Sequence, residues 1–240
     1  MIGLSLFDAA FLAVVSATSA PPAGDTNIVL WARADALAYT NGTMSVVWPD
    51  SSGGADLTGI STNAPTWYTN QVNGLPAWNF KNADLVHGNA WACARTVGNS
   101  FHLLAVAKLN AGTAKSRFLL INSFLYFAAI ENGTNFAFRS ASIGIVKVGP
   151  VATNDAYTLL EWIDDNDALE CFQDGVSVGT LSPGTMFGAG DGFSGLCGDV
   201  GTLAGAYLGW AAEFKLYAEA GTVSQRLARR EALRVKYSLY

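Results

Sequence analysis

The Asx-Gly pairs Asn41-Gly42, Asn73-Gly74, Asn132-Gly133 and Asp174-Gly175 punctuate this chain, and hydrophobic residues alternate between them. Such pairs tolerate the positive φ angles that a two-residue hairpin turn demands. Alternation with a period of two is the strand period. Together they commit the body of the chain to antiparallel strands. In Phe101-His-Leu-Leu-Ala-Val-Ala-Lys-Leu109, the positions Phe101, Leu103, Ala105, Ala107 and Leu109 share one face. Over residues 207–217, Leu208, Trp210, Ala212, Phe214 and Leu216 face one way and Glu213 and Lys215 the other. That pattern predicts a half-wetted strand. Residues 157–163 and 169–173 read as further strands, joined by the acidic turn Asp164-Asp-Asn-Asp167.

The two ends change period. Near the C-terminus, Thr222 or Ser224 can cap a helix on which Ala228, Ala232, Val235 and Leu239 recur at helical spacing. Arg226, Arg230 and Arg234 form a basic stripe on another face, either solvated or a docking stripe for an acidic partner surface. At the other end, residues 2–17 are almost wholly apolar, with Asp8 their only charge. Ser5 and Asp8 have capping-box spacing, and Leu4, Phe7, Phe11 and Val14 recur at three and four. A short helix near residues 5–16 follows, ended by Pro21-Pro22-Ala-Gly24. The reading is two parts: a docking arm with its linker, residues 1–24, and a body, residues 25–240.

The arm lacks the basic start of a secretion signal, and Pro21 directly follows the cleavable-looking Ala17-Thr18-Ser19-Ala20. It is shorter than the roughly 20 apolar residues of a membrane span. The expectation is a retained segment buried against a partner. The 240 residues suit one large domain. Only 14% are charged and 25 are Gly, which fits a β protein rich in turns. A net charge of −5 argues against nucleic acid, because phosphate neutralisation needs a basic face. Cys93, Cys171 and Cys197 are far apart and read as buried free thiols.

The order of several short motifs resembles a LamG-like or concanavalin A-like lectin/glucanase jelly-roll domain. They are Leu30-Trp31-Ala-Arg-Ala-Asp35, Asn41-Gly42-Thr43 and Val47-Trp48-Pro-Asp50-Ser-Ser-Gly53. Pro65-Thr-Trp-Tyr68 and Val72-Asn-Gly74-Leu-Pro76-Ala-Trp-Asn-Phe80 follow. Cys171-Phe-Gln-Asp174-Gly175 and Gly209-Trp-Ala-Ala-Glu213-Phe-Lys-Leu-Tyr217 come later, then a helix ending Val235-Lys236-Tyr237. The resemblance spans about residues 27–240. It implies an all-β fold: a two-sheet antiparallel jelly-roll sandwich, here with a short N-terminal helix and a C-terminal helix. Such domains include lectins, carbohydrate-binding modules, glucanases and parts of phage particles, so the fold leaves activity open.

Retaining glycosidases need two carboxyls roughly 5–5.5 Å apart. The closest stretch runs from Glu161 through Asp164 to Glu170, and Glu161 and Asp164 would point to opposite faces of a strand. That departure from the glucanase pattern argues against hydrolysis. Asp164, Asp165 and Asp167 have the chemistry of a Ca²⁺ loop without its Asp-x-Asp-x-Asp-Gly spacing, so a solvated hairpin tip competes with a metal site. His87 and His102 stand alone. For sugar binding, Trp67 and Tyr68 with Asn70 nearby are the best polar-aromatic neighbourhood, and Trp91 is second. Trp31, Trp48, Trp78 and Trp210 are expected to pack in the core. The leading expectation is a non-enzymatic phage virion accessory protein on the virion surface, multi-copy, docked to other virion proteins through residues 2–17, and displaying a lectin-like domain to glycans. The rivals are a secreted bacterial carbohydrate-binding protein and a glycan hydrolase.

Overall fold

The computed structural model describes residues 27–45, 47–59, 64–80, 91–96, 100–109, 115–121, 126–131, 135–140, 144–150, 155–166, 168–182, 192–196 and 209–240. The elements begin with β1 (Ile28–Arg33), a 3-10 turn (Ala34–Ala36), β2 (Thr43–Met44), β3 (Val47–Trp48) and β4 (Leu57–Gly59). They continue with β5 (Thr66–Val72), β6 (Leu75–Phe80), β7 (Trp91–Thr96), β8 (Ser100–Leu109), β9 (Lys115–Ile121) and β10 (Tyr126–Glu131). After these come β11 (Asn135–Ser140), β12 (Gly144–Pro150), β13 (Thr158–Asp165), β14 (Leu169–Gln173) and β15 (Val176–Leu181). The chain closes with β16 (Gly192–Leu196), β17 (Gly209–Tyr217) and the helix α1 (Val223–Tyr237).

The strands form two antiparallel sheets. One has the order β15-β14-β13-β8-β17-β6-β5-β2, with β1 also paired to β17. The other has the order β12-β11-β10-β9-β16-β7-β4-β3. Asn73 and Gly74 (φ 46° and 75°) and Asp174 and Gly175 (φ 50° and 79°) make the expected hairpin turns. Closing pairs Val72 with Leu75 and Gln173 with Val176 fix the register of each hairpin. Between the sheets lies a core containing Leu30, Trp48, Trp67, Trp78, Phe80, Phe136, Trp162 and Phe214. At one edge β12 and β15 meet backbone to backbone: a Cβ on Gly149 would collide with the Val178 carbonyl, and one on Gly179 with that of Val148.

A second apolar layer lies on the outer face of the first sheet, under α1. It joins Leu104, Val106, Leu159, Ala212 and Tyr217 of the strands to Leu233, Tyr237 and Leu239. Strands β8, β13 and β17 are therefore buried on both faces, and the half-wetted strand expected at residues 207–217 is corrected. Glu213 and Lys215 are only 1% and 4% exposed. The helix is capped at Thr222, whose hydroxyl accepts from the Gln225 amide while the Gln225 side chain accepts from the Thr222 amide. Its facing reverses the expectation. Arg229, Leu233 and Tyr237 are buried, whereas Ala228, Ala232 and Val235 face water. The proposed docking arm, with Leu4, Phe7, Phe11 and Val14, lies outside the described residues.

Candidate functional site

The polar layer under α1 explains why its basic side is the inner one. Glu161, fully buried on β13, receives His102 Nε2 at 2.7 Å on one carboxylate oxygen. Its other oxygen receives Arg230 Nε and Nη2, both at 2.8 Å. Arg229 Nη1 lies 3.4 Å from His102 Nδ1. A guanidinium only donates, so Nδ1 accepts and the ring proton sits on Nε2, facing Glu161. Burial pushes the His102 pKa down; Glu161 opposes this, and Arg229 and Arg226 reinforce it. Arg229 also donates to Glu219 at 2.8 Å and lies 3.6 Å over the Tyr217 ring.

A second carboxylate, Glu213, anchors the other end of the helix. It accepts from Trp31 Nε1 at 2.7 Å, from the Tyr237 hydroxyl at 2.8 Å and from Lys236 Nζ. Lys236 also reaches Asp35 at 3.1 Å. Buried carboxylates with every near donor supplied from helix and sheet are clamps. Neither Glu161 nor Glu213 has a side open to substrate.

These contacts correct the docking stripe. Arg230 turns inward to Glu161, Arg226 lies 3.6 Å from Asp165, and Arg234 holds Glu231 at 2.6 Å and the Tyr240 carbonyl at 3.3 Å. A stripe engaged within its own chain offers little to an acidic partner. The two described acids of the acidic turn stand in different surroundings. Asp164 is buried and follows Leu160 and Trp162 on the inner face, while Asp165 is exposed beside α1. Asp167 lies outside the described residues. Among the described residues no three His, Cys, Asp or Glu side chains converge as a metal site. Cys171 is a buried free thiol whose pKa burial pushes up. Cys93 and Cys197 have no described side chains.

Of the sugar-binding candidates, Trp67 is corrected to core. It is 4% exposed, donates from Nε1 to the Ala34 carbonyl at 2.8 Å and packs edge-on to Tyr39. Asn70 is exposed in a bulge, at φ 52°, where residues 69–71 stand opposite Pro76. Pro76 has no N–H to give the ladder, and the bulge absorbs the mismatch. Trp91 opens β7, and its side chain lies outside the described ones. Tyr68 does reach the outer face, half-buried, and there it meets a residue that sequence reasoning placed in the core. Its ring centroid is 5.3 Å from that of Trp210, at 56°.

What turns Trp210 outward is a second bulge. Ala211 pairs with Ala107 and Glu213 with Val106, so Ala212 and Glu213 together oppose a single residue of β8. The strand changes phase there. Trp210 and Ala212 belong to the outer layer, Phe214 and Leu216 to the inner core. Hydropathy alone gives no sign of this, because a Trp fits either face. Trp210 pairs across the sheet with Asn79 of β6 and with Lys108 of β8. Lys108 is bound to Asp155 at 2.9 Å. The result, beyond the end of α1's cover, is an aromatic pair with an amide and an ion pair beside it.

No family model and no curated protein matches this chain. Solved structures share its shape. A Trypanosoma rangeli sialidase in complex with sialic acid matches at 11% identity and a TM-score of 0.51, over 85% of this chain and 32% of that one. The botulinum neurotoxin serotype D/C VPI 5993 binding domain matches at 8% identity and a TM-score of 0.51, over 86% of this chain and 52% of that one. This chain thus spans about a third of the sialidase, and the likeness is one of fold: an antiparallel β-sandwich.

Proposed function

We propose that this protein is a non-enzymatic display domain that binds glycans on the Tyr68–Trp210 platform. The observation that carries the reading is the phase change in β17, which places Trp210 against Tyr68 on an outer sheet face rather than in the core. Sugar rings present apolar C–H faces that stack on aromatic rings, and their hydroxyls need nearby polar partners. Those would come from the Lys108–Asp155 pair, whose Asp155 side chain is 84% exposed; Asn79, beside Trp210, is itself only 8% exposed. The strand order is read as a jelly roll. A hydrolase would need a carboxylate pair other than one built on Glu161, whose oxygens are engaged with His102 and Arg230.

The setting we propose is a phage particle, with the domain attached in many copies through residues 2–17; the alternative is a secreted bacterial carbohydrate-binding protein. The apolar sequence of that segment supports the first. N-terminal sequencing from the native source separates them, since a mature start near Pro21 removes the attachment.

A glycan array followed by calorimetry on the best ligand tests the platform. Trp210→Ala and Tyr68→Ala should each lower affinity roughly 5- to 150-fold, given that stacking on one aromatic is worth about 1–3 kcal/mol in other ring-stacking sites. Their circular dichroism should stay that of the parent. Full affinity in both variants, or no glycan bound by the parent, would refute the reading.

A further inference from the structure

Three of the large apolar side chains that stand exposed lie on the outward side of α1: Val223 at 65%, Leu227 at 53% and Val235 at 61%. They share one i, i+4 ridge, broken only by Glu231. That carboxylate is already held by Arg234 Nε and Nη2, at 2.6 and 2.7 Å. The neighbouring ridge, Ser224, Ala228 and Ala232, is small-sided and exposed. Large residues beside a trough of alanines are the relief into which the ridge of another helix packs.

We infer that this outward face of α1 is the seat of residues 2–17 of the chain itself. The first described residues run beside the start of the helix. The Ala218 amide donates to the Asn27 carbonyl at 2.9 Å, and Asn27 Nδ2 donates to Glu219 at 2.8 Å. Thr222, the helix cap, follows directly after that strand end. Residues 18–26 can span at most roughly 30 Å, and a helix of 15 residues is about 22 Å long. The segment therefore reaches any point on α1, and its tether holds it at millimolar effective concentration. Its Leu4, Phe7, Phe11 and Val14 recur at three and four, so as a helix they would offer one apolar stripe of matching length. Among the described residues, the other large exposed apolar side chains, Met44, Val176 and Tyr240, are scattered and form no such ridge.

The segment can come from the same copy or be exchanged from a neighbouring one. Exchange links copies of this chain to one another, the one attachment through residues 2–17 that is compatible with their seat on α1, whereas the inference about α1 stands with either. The test uses the full chain with a benzophenone photo-cross-linker at position 227 or 235, followed by peptide mapping. Cross-links that land in residues 2–17 are expected. Leu227→Asp with Val235→Asp should abolish them and raise amide exchange throughout residues 2–17. Cross-links from α1 to another copy's α1, cross-links elsewhere, or exchange unchanged in the double variant would overturn the inference. Mixing isotopically light and heavy chains then separates the two forms. Mixed-mass cross-links support exchange, and single-mass ones keep the seat on α1 while removing the attachment argument made for residues 2–17.

Discussion

Glu161 shows how much one buried carboxylate organises here. Arg230 on one side neutralises its charge, and neutral His102 on the other donates a hydrogen bond to it, away from water. Breaking such a pair from one side leaves an uncompensated buried charge, at a cost of about 3–5 kcal/mol. Arg230→Met should therefore lower the urea-unfolding free energy by that order, and adding Glu161→Gln should recover part of it. Equal losses in the single and double variants would show that Arg230 acts only by packing. His102 adds a pH dependence whose sign is fixed. Its pKa is held below the ordinary imidazole value of 6.5 by burial, so the folded chain resists a proton that the unfolded chain accepts. Its stabilising contribution is complete above about pH 6.5 and is lost as pH falls from there toward the depressed folded value. Unfolding free energies across pH 5 to 8 should slope more steeply for the parent than for His102→Gln. Matching slopes would place a proton on the buried ring.

Single elements were legible where one signal governs them. The turns at Asn73-Gly74 and Asp174-Gly175 follow from the φ angles those residues accept, and the inward side of β8 follows from alternation. The cap of α1 was legible to within two candidates, Thr222 or Ser224, of which the structure uses Thr222. The face of α1 was not. Hydropathy assigns the apolar side inward, but here Arg229, Arg230 and Lys236 go in because Glu219, Glu161 and Glu213 wait for them. That pairing spans distant segments, and no window along the chain contains both halves. Trp210 was misplaced for a related reason: the bulge at Ala212 and Glu213 is a property of the register with β8, not of the strand alone. Register also governs the sandwich edge. Gly149 and Gly179 are needed there for space, since a methyl on either would strike the facing carbonyl. Gly149→Ala and Gly179→Ala should each destabilise the fold by about 1–3 kcal/mol, the usual cost of overpacking. A thermal melt is enough to check it, and unchanged midpoints would mean the edges separate freely.

At the scale of the molecule, the fold has three layers rather than two: sheet, sheet and helix, with an apolar core in each gap. The middle layer is the sheet that carries the platform, and Trp210 packs against the same outer cluster that α1 covers. Helix and platform are thus physically continuous. A chain ending at Gly221 would expose Leu104, Val106, Leu159, Ala212 and Tyr217 together. It would also strip Glu161 of Arg230, and Glu213 of Lys236 and Tyr237, leaving two carboxylates against an apolar face. Contiguous apolar exposure on that scale promotes association. The truncated chain should therefore aggregate or unfold, whereas Thr222→Ala, which only removes a cap, should cost about 1 kcal/mol and leave a folded chain that elutes as the parent does. Size-exclusion chromatography with circular dichroism on both variants decides it. A soluble truncated chain with the parent's unfolding midpoint would make α1 an appendage, and the clamps at Glu161 and Glu213 would then contribute nothing to holding the platform in place.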